Sequence, residues 1–334
     1  MIHRILGLAT IIIRVKQHFK IMGLVTVFAL SGCAGTLELD DALAIAPYHI
    51  EDGGRIIVEA RVDGLGPFDF VLDTGASISA IFDKLRDELG LEPVPGKVVI
   101  IHGAVASGRF SLLDIDRLEI GQETWDDPRI VSLPGETAAG STVDGVLGVD
   151  FLQRYAVGFS TSDRVVRLYP PDLIARRSYR GWASVPLQAE PVGETGASVH
   201  YIDIEIDGWP IKAVFDLGAG FNMINWPGVR SLGATAPRSR RDRLLTGALD
   251  SSLLVATLEA KEVTTASIRW RNEVFSIADI EIFETLMLGD TPAAILGAGL
   301  FTQRDFVIDF VRSRLLVKVA MDEVDVTVGT GAEP

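Results

Sequence analysis

Two segments of the chain share a pattern in which apolar residues lead directly into one aspartate, and a glycine follows two positions later. Residues 70–77 are Phe-Val-Leu-Asp-Thr-Gly-Ala-Ser, and residues 213–220 are Ala-Val-Phe-Asp-Leu-Gly-Ala-Gly. A buried strand that ends this way delivers a carboxylate to a turn where glycine allows close backbone approach. The aspartates, Asp73 and Asp216, are 143 positions apart. The pattern therefore indicates a duplicated unit that brings two carboxylates face to face.

The similarity between the two parts of the chain extends well beyond the aspartates. Upstream, apolar and polar residues alternate before an Asp-Gly pair, which predicts a half-buried strand entering a hairpin turn. Downstream, each part has an apolar-apolar-Gly turn, at Gly148 and Gly297, and closes on a strand-like run. The matching stretches are 58–62 with 202–206, 145–154 with 294–304, and 165–169 with 315–319. Strands dominate both parts, and the clearest helical pattern is at 80–89.

These residues resemble the aspartic peptidases, in particular the retropepsin-like proteins of bacteria. The resemblance covers residues 53–320 and rests on the Asp-Thr-Gly-Ala-Ser motif together with the glycine turn 75 residues after Asp73. It implies an all-β fold of two retropepsin-like β-barrel lobes, related by a pseudo-two-fold axis, with a peptide substrate in the cleft between them. Viral members build this cleft from two identical chains, whereas this chain holds both halves. A monomer therefore suffices, and a dimer stays open.

The resemblance also assigns roles to residues. Asp73 and Asp216 become the catalytic pair, which activates a water to attack a peptide bond, so neither a cofactor nor a metal is implied. The residues that support the two aspartate loops are Thr74, Gly75, Ala76, Ser77, Leu217, Gly218, Ala219, Gly148 and Gly297. Candidate flaps over the cleft lie at His102, Gly103, Gly247 and Ala248, with ordinary hairpin tips as the alternative.

One position departs from the family pattern. Leu217 stands where related enzymes have a second Thr, whose hydroxyl cross-links the loops, so the resemblance leaves Thr74 without its partner. A lost buried hydrogen bond costs about 1 to 3 kcal/mol. Gly220 likewise replaces the serine found at Ser77. An alternative interpretation therefore stays open, in which the protein is a catalytically weak or inactive peptide-binding lipoprotein of the cell envelope.

The N-terminal segment predicts export. Basic residues precede an apolar stretch at 21–30, which is too short to span a bilayer and has the length of a signal peptide. The stretch ends in Leu-Ser-Gly-Cys at residues 30–33, which is similar to a bacterial lipobox. We therefore expect lipidation of Cys33 and attachment to the cell envelope, facing the periplasm at the outer membrane. An uncleaved anchor and a fortuitous cysteine are the alternatives.

Composition is consistent with a two-lobed exported protein. The chain has 334 residues, is 48% hydrophobic and carries a formal net charge of −14, which argues against nucleic acid as a partner. Its five histidines show no metal-ligand spacing. The predicted organisation is a signal peptide at 1–32, a tether at 33–52, lobe 1 at 53–170, a linker at 171–183, lobe 2 at 184–321 and a tail at 322–334.

Overall fold

The computed structural model describes residues 41–51, 53–102, 107–134, 143–174, 181–191, 198–233, 239–246 and 252–319. The chain divides into two compact units, residues 1–33 and 34–334, and every described residue belongs to the second. The predicted signal peptide, Cys33 and the tail lie outside the described residues. Within the described ranges, no helix has the length and apolar character needed to cross a membrane.

The elements of residues 41–174 are mostly short strands. In chain order they are β1 (Ala44–Ile50), β2 (Ile56–Val62), β3 (Leu65–Leu72), β4 (Ala80–Phe82), α1 (Asp83–Leu89), β5 (Pro93–His102), β6 (Ser107–Leu113), β7 (Arg117–Ile120), β8 (Glu123–Asp126), β9 (Val131–Leu133), β10 (Gly145–Leu147), α2 (Val149–Leu152), β11 (Ala156–Ser160) and β12 (Val165–Tyr169).

The elements of residues 181–319 follow a similar order. They are β13 (Trp182–Pro186), β14 (Gln188–Pro191), β15 (Ser198–Ile206), β16 (Trp209–Asp216), β17 (Asn222–Ile224), α3 (Trp226–Ser231), β18 (Ser239–Thr246), β19 (Ser252–Thr265), β20 (Ile268–Ile277), α4 (Glu281–Thr285), β21 (Ala293–Gly297), α5 (Ala298–Phe301), β22 (Phe306–Asp309) and β23 (Arg314–Lys318).

Alternating burial explains why the predicted strands form. In β2 and β15 the apolar residues of the C-terminal part face the core and the charged residues between them are exposed. Each strand then turns at an Asp-Gly pair, where Asp63 and Asp207 adopt positive φ angles of 51° and 49°. Asp and Gly tolerate this left-handed conformation better than most residues. The strands and hairpin turns predicted at these places are confirmed.

A six-stranded antiparallel part of the larger sheet connects the two parts of the chain. Its order is β1-β12-β11-β22-β23-β13, and its central pair is β11 with β22. Phe159 lies opposite Phe306 in that pair, and their rings stack with centroids 4.2 Å apart. Among the described residues, the remaining strands extend this sheet on one side and form a separate eight-stranded sheet on the other. The fold is therefore mostly β, as expected.

Three boundaries differ from the sequence-based expectations. Residues 44–50, expected within a tether, form β1, because Ala44, Ala46 and Tyr48 are buried and the strand pairs with β12 and β2. The helix expected at 80–89 begins at Asp83, since residues 80–82 are fully buried and pair with β9 and β10. Strand β13 begins at Trp182, inside the expected linker. In each case pairing with distant strands overrides the local signal.

Candidate active site

Asp73 immediately follows β3, which lies between β2 and β10 in the larger sheet. β3 pairs in parallel with β10, so that Leu72 lies opposite Leu147, and the Asp73 amide donates to the Leu147 carbonyl at 2.9 Å. The Oδ1 atom of Asp73 accepts hydrogen bonds from the amides of Gly75 at 2.7 Å and Ala76 at 3.0 Å. These bonds fix the carboxyl group at the start of its turn.

Asp216 ends β16 in the same manner. β16 pairs in parallel with β21, so that Asp216 lies opposite Gly297. The Oδ1 atom of Asp216 accepts from the amides of Gly218 at 2.9 Å and Ala219 at 3.1 Å. Both aspartates are therefore held by the amides of the second and third residues that follow them, in equivalent positions of their loops.

The glycine of each aspartate loop packs against the carboxyl group of the aspartate in the other loop. A Cβ atom added to Gly75 would lie 2.6 Å from the Cγ atom of Asp216, and one added to Gly218 would overlap the Cγ atom of Asp73. Only glycine leaves room for these reciprocal approaches. The side chains of Asp73 and Asp216 are hydrogen-bonded to each other. Both residues are partly buried.

The pair is poised to share one proton. Burial raises the pKa of Asp73, while the amides of Gly75 and Ala76, the side chain of Asp216 and the guanidinium of Arg55 oppose that rise. Burial raises the pKa of Asp216 well above its ordinary value, and the adjacent charge of Asp73 raises it further. Two carboxyl groups in contact cannot both ionise at low cost, so the pair titrates as one unit.

Thr74 is fully hydrogen-bonded, in contrast to the expectation that it lacks a partner. Its hydroxyl donates to the carbonyl of Phe215 at 2.8 Å and accepts from the amide of Leu217 at 2.9 Å. The expectation was wrong because both partners are main-chain groups of the opposite loop, which every residue type provides. The Leu217 side chain is fully buried in the main hydrophobic core. One hydroxyl and one apolar side chain therefore secure the loops.

Gly148 and Gly297 each pack against the main chain of one aspartate loop. A Cβ atom on Gly148 would lie 2.7 Å from the Ala76 carbonyl oxygen, and one on Gly297 would lie 2.7 Å from the Ala219 carbonyl oxygen. The residues after these glycines donate to the same carbonyls, Val149 at 2.8 Å and Ala298 at 2.9 Å.

Three further residues of this support had no predicted role. The Ser79 hydroxyl accepts from the Gly148 amide at 3.0 Å and donates to Asp150 at 2.7 Å. In the other loop, the side-chain oxygen of Asn222 accepts from the Gly297 amide at 3.0 Å. Burial raises the pKa of Asp150 to about 6. Ser79 and Asn222 each follow their aspartate by six residues. This equal spacing was a sequence signal that could have identified these two residues.

Of the flap candidates, only His102 lies within the described residues, at the end of β5. β5 and β6 pair up to His102 and Ser107, whose side chains are hydrogen-bonded at 2.8 Å. Ser107 also donates to Glu281 at the start of α4. β18 and β19 form the second hairpin and pair up to Thr246 and Ser252. Gly103, Gly247 and Ala248 lie outside the described residues.

In the part of the chain that the structure describes, no group of three His, Cys, Asp or Glu side chains is arranged to hold a metal ion. Apolar clusters border both aspartate loops. Ala76 packs at the edge of one buried cluster, which includes Ile57 and Val71, and Ala219 packs at the edge of another, which includes Tyr201. The two carboxyl groups are therefore the acid–base groups that this site offers.

Comparison with known families places the first aspartate loop. Residues 58–151 match the family model described as aspartyl protease, of the retropepsin-like kind, so this part of the chain is an aspartyl protease family domain. The match includes Asp73 and the turn at Gly148, and it ends before Asp216. No curated protein matches the chain.

Proposed function

We propose that the protein is an aspartic endopeptidase, in which Asp73 and Asp216 activate one water molecule to hydrolyse a peptide bond. The aspartyl protease domain at residues 58–151 supports aspartic peptidase activity. The observation that carries the proposal is the reciprocal packing of Asp73 on Gly218 and of Asp216 on Gly75, which brings the two carboxyl groups into hydrogen-bonding contact.

The chemistry follows from one proton shared by two carboxyl groups. The ionised carboxylate takes a proton from the water as the water oxygen forms a bond to the peptide carbonyl carbon. The protonated carboxyl group stabilises the developing oxyanion through its hydrogen bond. The carbon–nitrogen bond then breaks, the nitrogen receives a proton from the pair, and a free carboxylate and amine leave. Water is the nucleophile, so no covalent acyl-enzyme forms.

We propose further that residues 184–321 are a second retropepsin-like lobe, related to the first by a pseudo-two-fold axis. The parallel pairing of β3 with β10 matches that of β16 with β21. The pairing of β11 with β22 supports the axis, because Ala156 lies opposite Asp309 and Phe159 lies opposite Phe306. Residues 156 and 306 differ by 150 positions, and so do residues 159 and 309. A two-fold axis that relates residues 150 positions apart would therefore exchange these two pairs.

The proposed substrate is an extended peptide with apolar side chains. Partly buried apolar residues from both halves pack on the clusters that Ala76 and Ala219 also contact, including Ile101 and Phe110 of the first hairpin and Phe221 of the second loop. Such a peptide pairs its main chain with the flap hairpins in the manner of an added strand. The hairpins β5–β6 and β18–β19 would close over it and exclude water.

Leu217 is the observation that favours the second candidate, a catalytically weak or inactive peptide-binding protein. A leucine cannot supply the reciprocal hydroxyl that Thr74 supplies from the other side. The bonds from Thr74 to Phe215 and Leu217 keep the loops in register without it. We therefore favour the active enzyme.

The proposed location is the bacterial cell envelope. It rests on the sequence of residues 30–33, in which Cys33 would carry the lipid anchor. One chain contributes both aspartates, so the proposed enzyme works as a monomer.

The test is hydrolysis of a peptide library between mildly acidic and neutral pH. Wild-type protein is compared with Asp73→Asn and Asp216→Asn, each shown by circular dichroism to be folded. We expect cleavage by the wild type, and a rate at least ~10²-fold lower for each variant, because general acid–base catalysis contributes that much or more. If none of the three proteins hydrolyses a peptide while peptide binding is retained, the second candidate would be established instead.

A further inference from the structure

A cation, Arg55, immediately precedes β2, and Asp73 immediately follows the paired strand β3. β2 and β3 are antiparallel, with Ile57 opposite Val71. Arg55 and Asp73 each lie two residues beyond this last pair, at the same end of the two strands. The charge of Arg55 acts on the Asp73 carboxyl group from there.

The residue of the second half in the position equivalent to Arg55 is apolar. β15 and β16 are antiparallel, with Tyr201 opposite Val214. Val199 precedes Tyr201 by two residues, as Arg55 precedes Ile57, and Val199 is buried in an apolar cluster. The two aspartates are thus held by equivalent amide bonds but face different neighbours, and this difference breaks the equivalence of the pair.

Arg55 is held in place by its own turn. Its guanidinium forms an ion pair with Glu51, and its side chain is 18% exposed. The Glu51 amide donates to the Arg55 carbonyl at 3.0 Å, and the Gly54 amide donates to the Glu51 carbonyl at 2.9 Å. The ion pair with Glu51 offsets part of the Arg55 charge, and solvent screens the remainder less than it would at an exposed position.

The same turn rests on the second aspartate loop and on α5. A Cβ atom on Gly53 would overlap the carbonyl oxygen of Gly220, and one on Gly54 would overlap the Cα atom of Gly299. At the positions of Gly220 and Gly299, the first half has the larger residues Ser77 and Asp150. The small residues of the second half therefore make room for this turn, which accounts for the loss of the serine.

We infer that Arg55 is a positioning residue of the aspartate pair: from the segment Gly53–Arg55, which packs on the second aspartate loop, it makes Asp73 the aspartate that carries the negative charge and leaves the proton on Asp216. This inference deepens the proposed function, on which its catalytic meaning rests. In the hydrolysis above, Asp73 is then the group that takes the proton from water, and Asp216 is the group that stabilises the oxyanion.

The electrostatics agree with this geometry. Arg55 opposes the rise in the pKa of Asp73 that burial causes, whereas burial and the charge of Asp73 both raise the pKa of Asp216. A nearby opposite charge stabilises the ionised form of a carboxyl group, and an apolar neighbour does not.

The inference can be tested without substrate. Carboxyl carbons of ¹³C-aspartate-labelled protein are titrated by NMR, and the spectra of Asp73→Asn and Asp216→Asn identify the two signals. The pair loses its two protons in two steps. In the wild type, we expect the chemical shift of the Asp73 carboxyl carbon to follow the step at lower pH and that of the Asp216 carbon to follow the step at higher pH. In Arg55→Gln we expect the lower step to move up by about one pH unit. Arg55→Lys should restore it.

Arg61→Gln is the matched control, because Arg61 is an exposed arginine of the adjacent strand β2, and both steps should stay unchanged. The inference would be overturned if, in the wild type, the Asp216 carbon titrated at lower pH than the Asp73 carbon. It would also be overturned if both steps of Arg55→Gln occurred at the same pH as in the wild type. The wild-type order of titration decides the matter even where Arg55→Gln does not fold. Separated steps in a protein that cleaves no peptide would uphold the inference while refuting the proposed hydrolysis.

Discussion

The carboxyl group of Asp216 lies directly against the Cα atom of Gly75, with only 2.6 Å between its Cγ atom and the place where a Cβ atom would be. This approach joins two residues that are 141 positions apart in the sequence. The backbone of each loop packs against the carboxyl group of the other loop, so the position of each aspartate side chain depends on the opposite glycine.

Gly75→Ala should therefore displace Asp216 and lower kcat/KM by about 10²-fold or more, since small misplacements of reacting groups have effects of that size. Peptide hydrolysis measures the effect. Gly90→Ala is the control, because Gly90 ends α1 in a left-handed conformation, and a Cβ atom added there meets nothing within 4 Å. That variant should lose about 1 kcal/mol of stability and keep its activity. Normal activity of Gly75→Ala would contradict the close approach.

Thr74→Val should lower the free energy of unfolding by about 2 to 3 kcal/mol. The change leaves the Phe215 carbonyl and the Leu217 amide buried without their hydrogen-bond partner. Urea denaturation measures the loss, and Thr74→Ser, which keeps the hydroxyl, should recover most of it. Equal stability of the valine and serine variants would show that the hydroxyl does not join the loops.

Leu217→Thr should preserve activity while costing about 1 to 3 kcal/mol of stability. Leu217 is fully buried in the core, so the substitution removes apolar volume and buries a hydroxyl group. The aspartate loops keep their bonds from Thr74. Thermal unfolding and peptide hydrolysis are measured on the same preparation, and a complete loss of activity in a folded protein would mean that the leucine itself sets the loop geometry.

His200 should make the protein less stable in acid. The side chain is buried against Phe310, its Nδ1 atom has no hydrogen-bond partner, and burial lowers its pKa to about 4. The folded state therefore favours neutral His200. Its contribution to stability is complete above pH 6.5, the usual pKa of histidine, and is lost as the pH falls towards 4, by about 3 kcal/mol at most.

His200→Leu should remove this part of the pH dependence. The free energy of unfolding, measured at pH 7 and at pH 4.5, should fall less in the variant than in the wild type. His49→Gln serves as the control because His49 is exposed, and it should behave as the wild type does. Identical losses in all three proteins would show that His200 does not titrate within the fold.

The sequence was sufficient to identify both aspartates, their glycine turns and the strands around them, because apolar alternation and Asp-Gly turns are local signals. It was insufficient for contacts that depend on distant strands. The bonds from Thr74 use main-chain groups of residues 215 and 217, and main-chain groups leave no trace in a sequence. The pairing of β1 with β12, and the packing of Gly53 on Gly220, likewise depend on the folded arrangement.

The most direct test of the account asks whether Asp73 pairs with Asp216 of the same chain. The rate of peptide hydrolysis is measured for the wild type over a wide range of dilution, and for an equimolar mixture of Asp73→Asn and Asp216→Asn chains. We predict a wild-type rate proportional to enzyme concentration and a mixture that stays inactive. A mixture that regains activity, or a wild type that loses its specific activity on dilution, would show that the active site forms between two chains and would contradict the account.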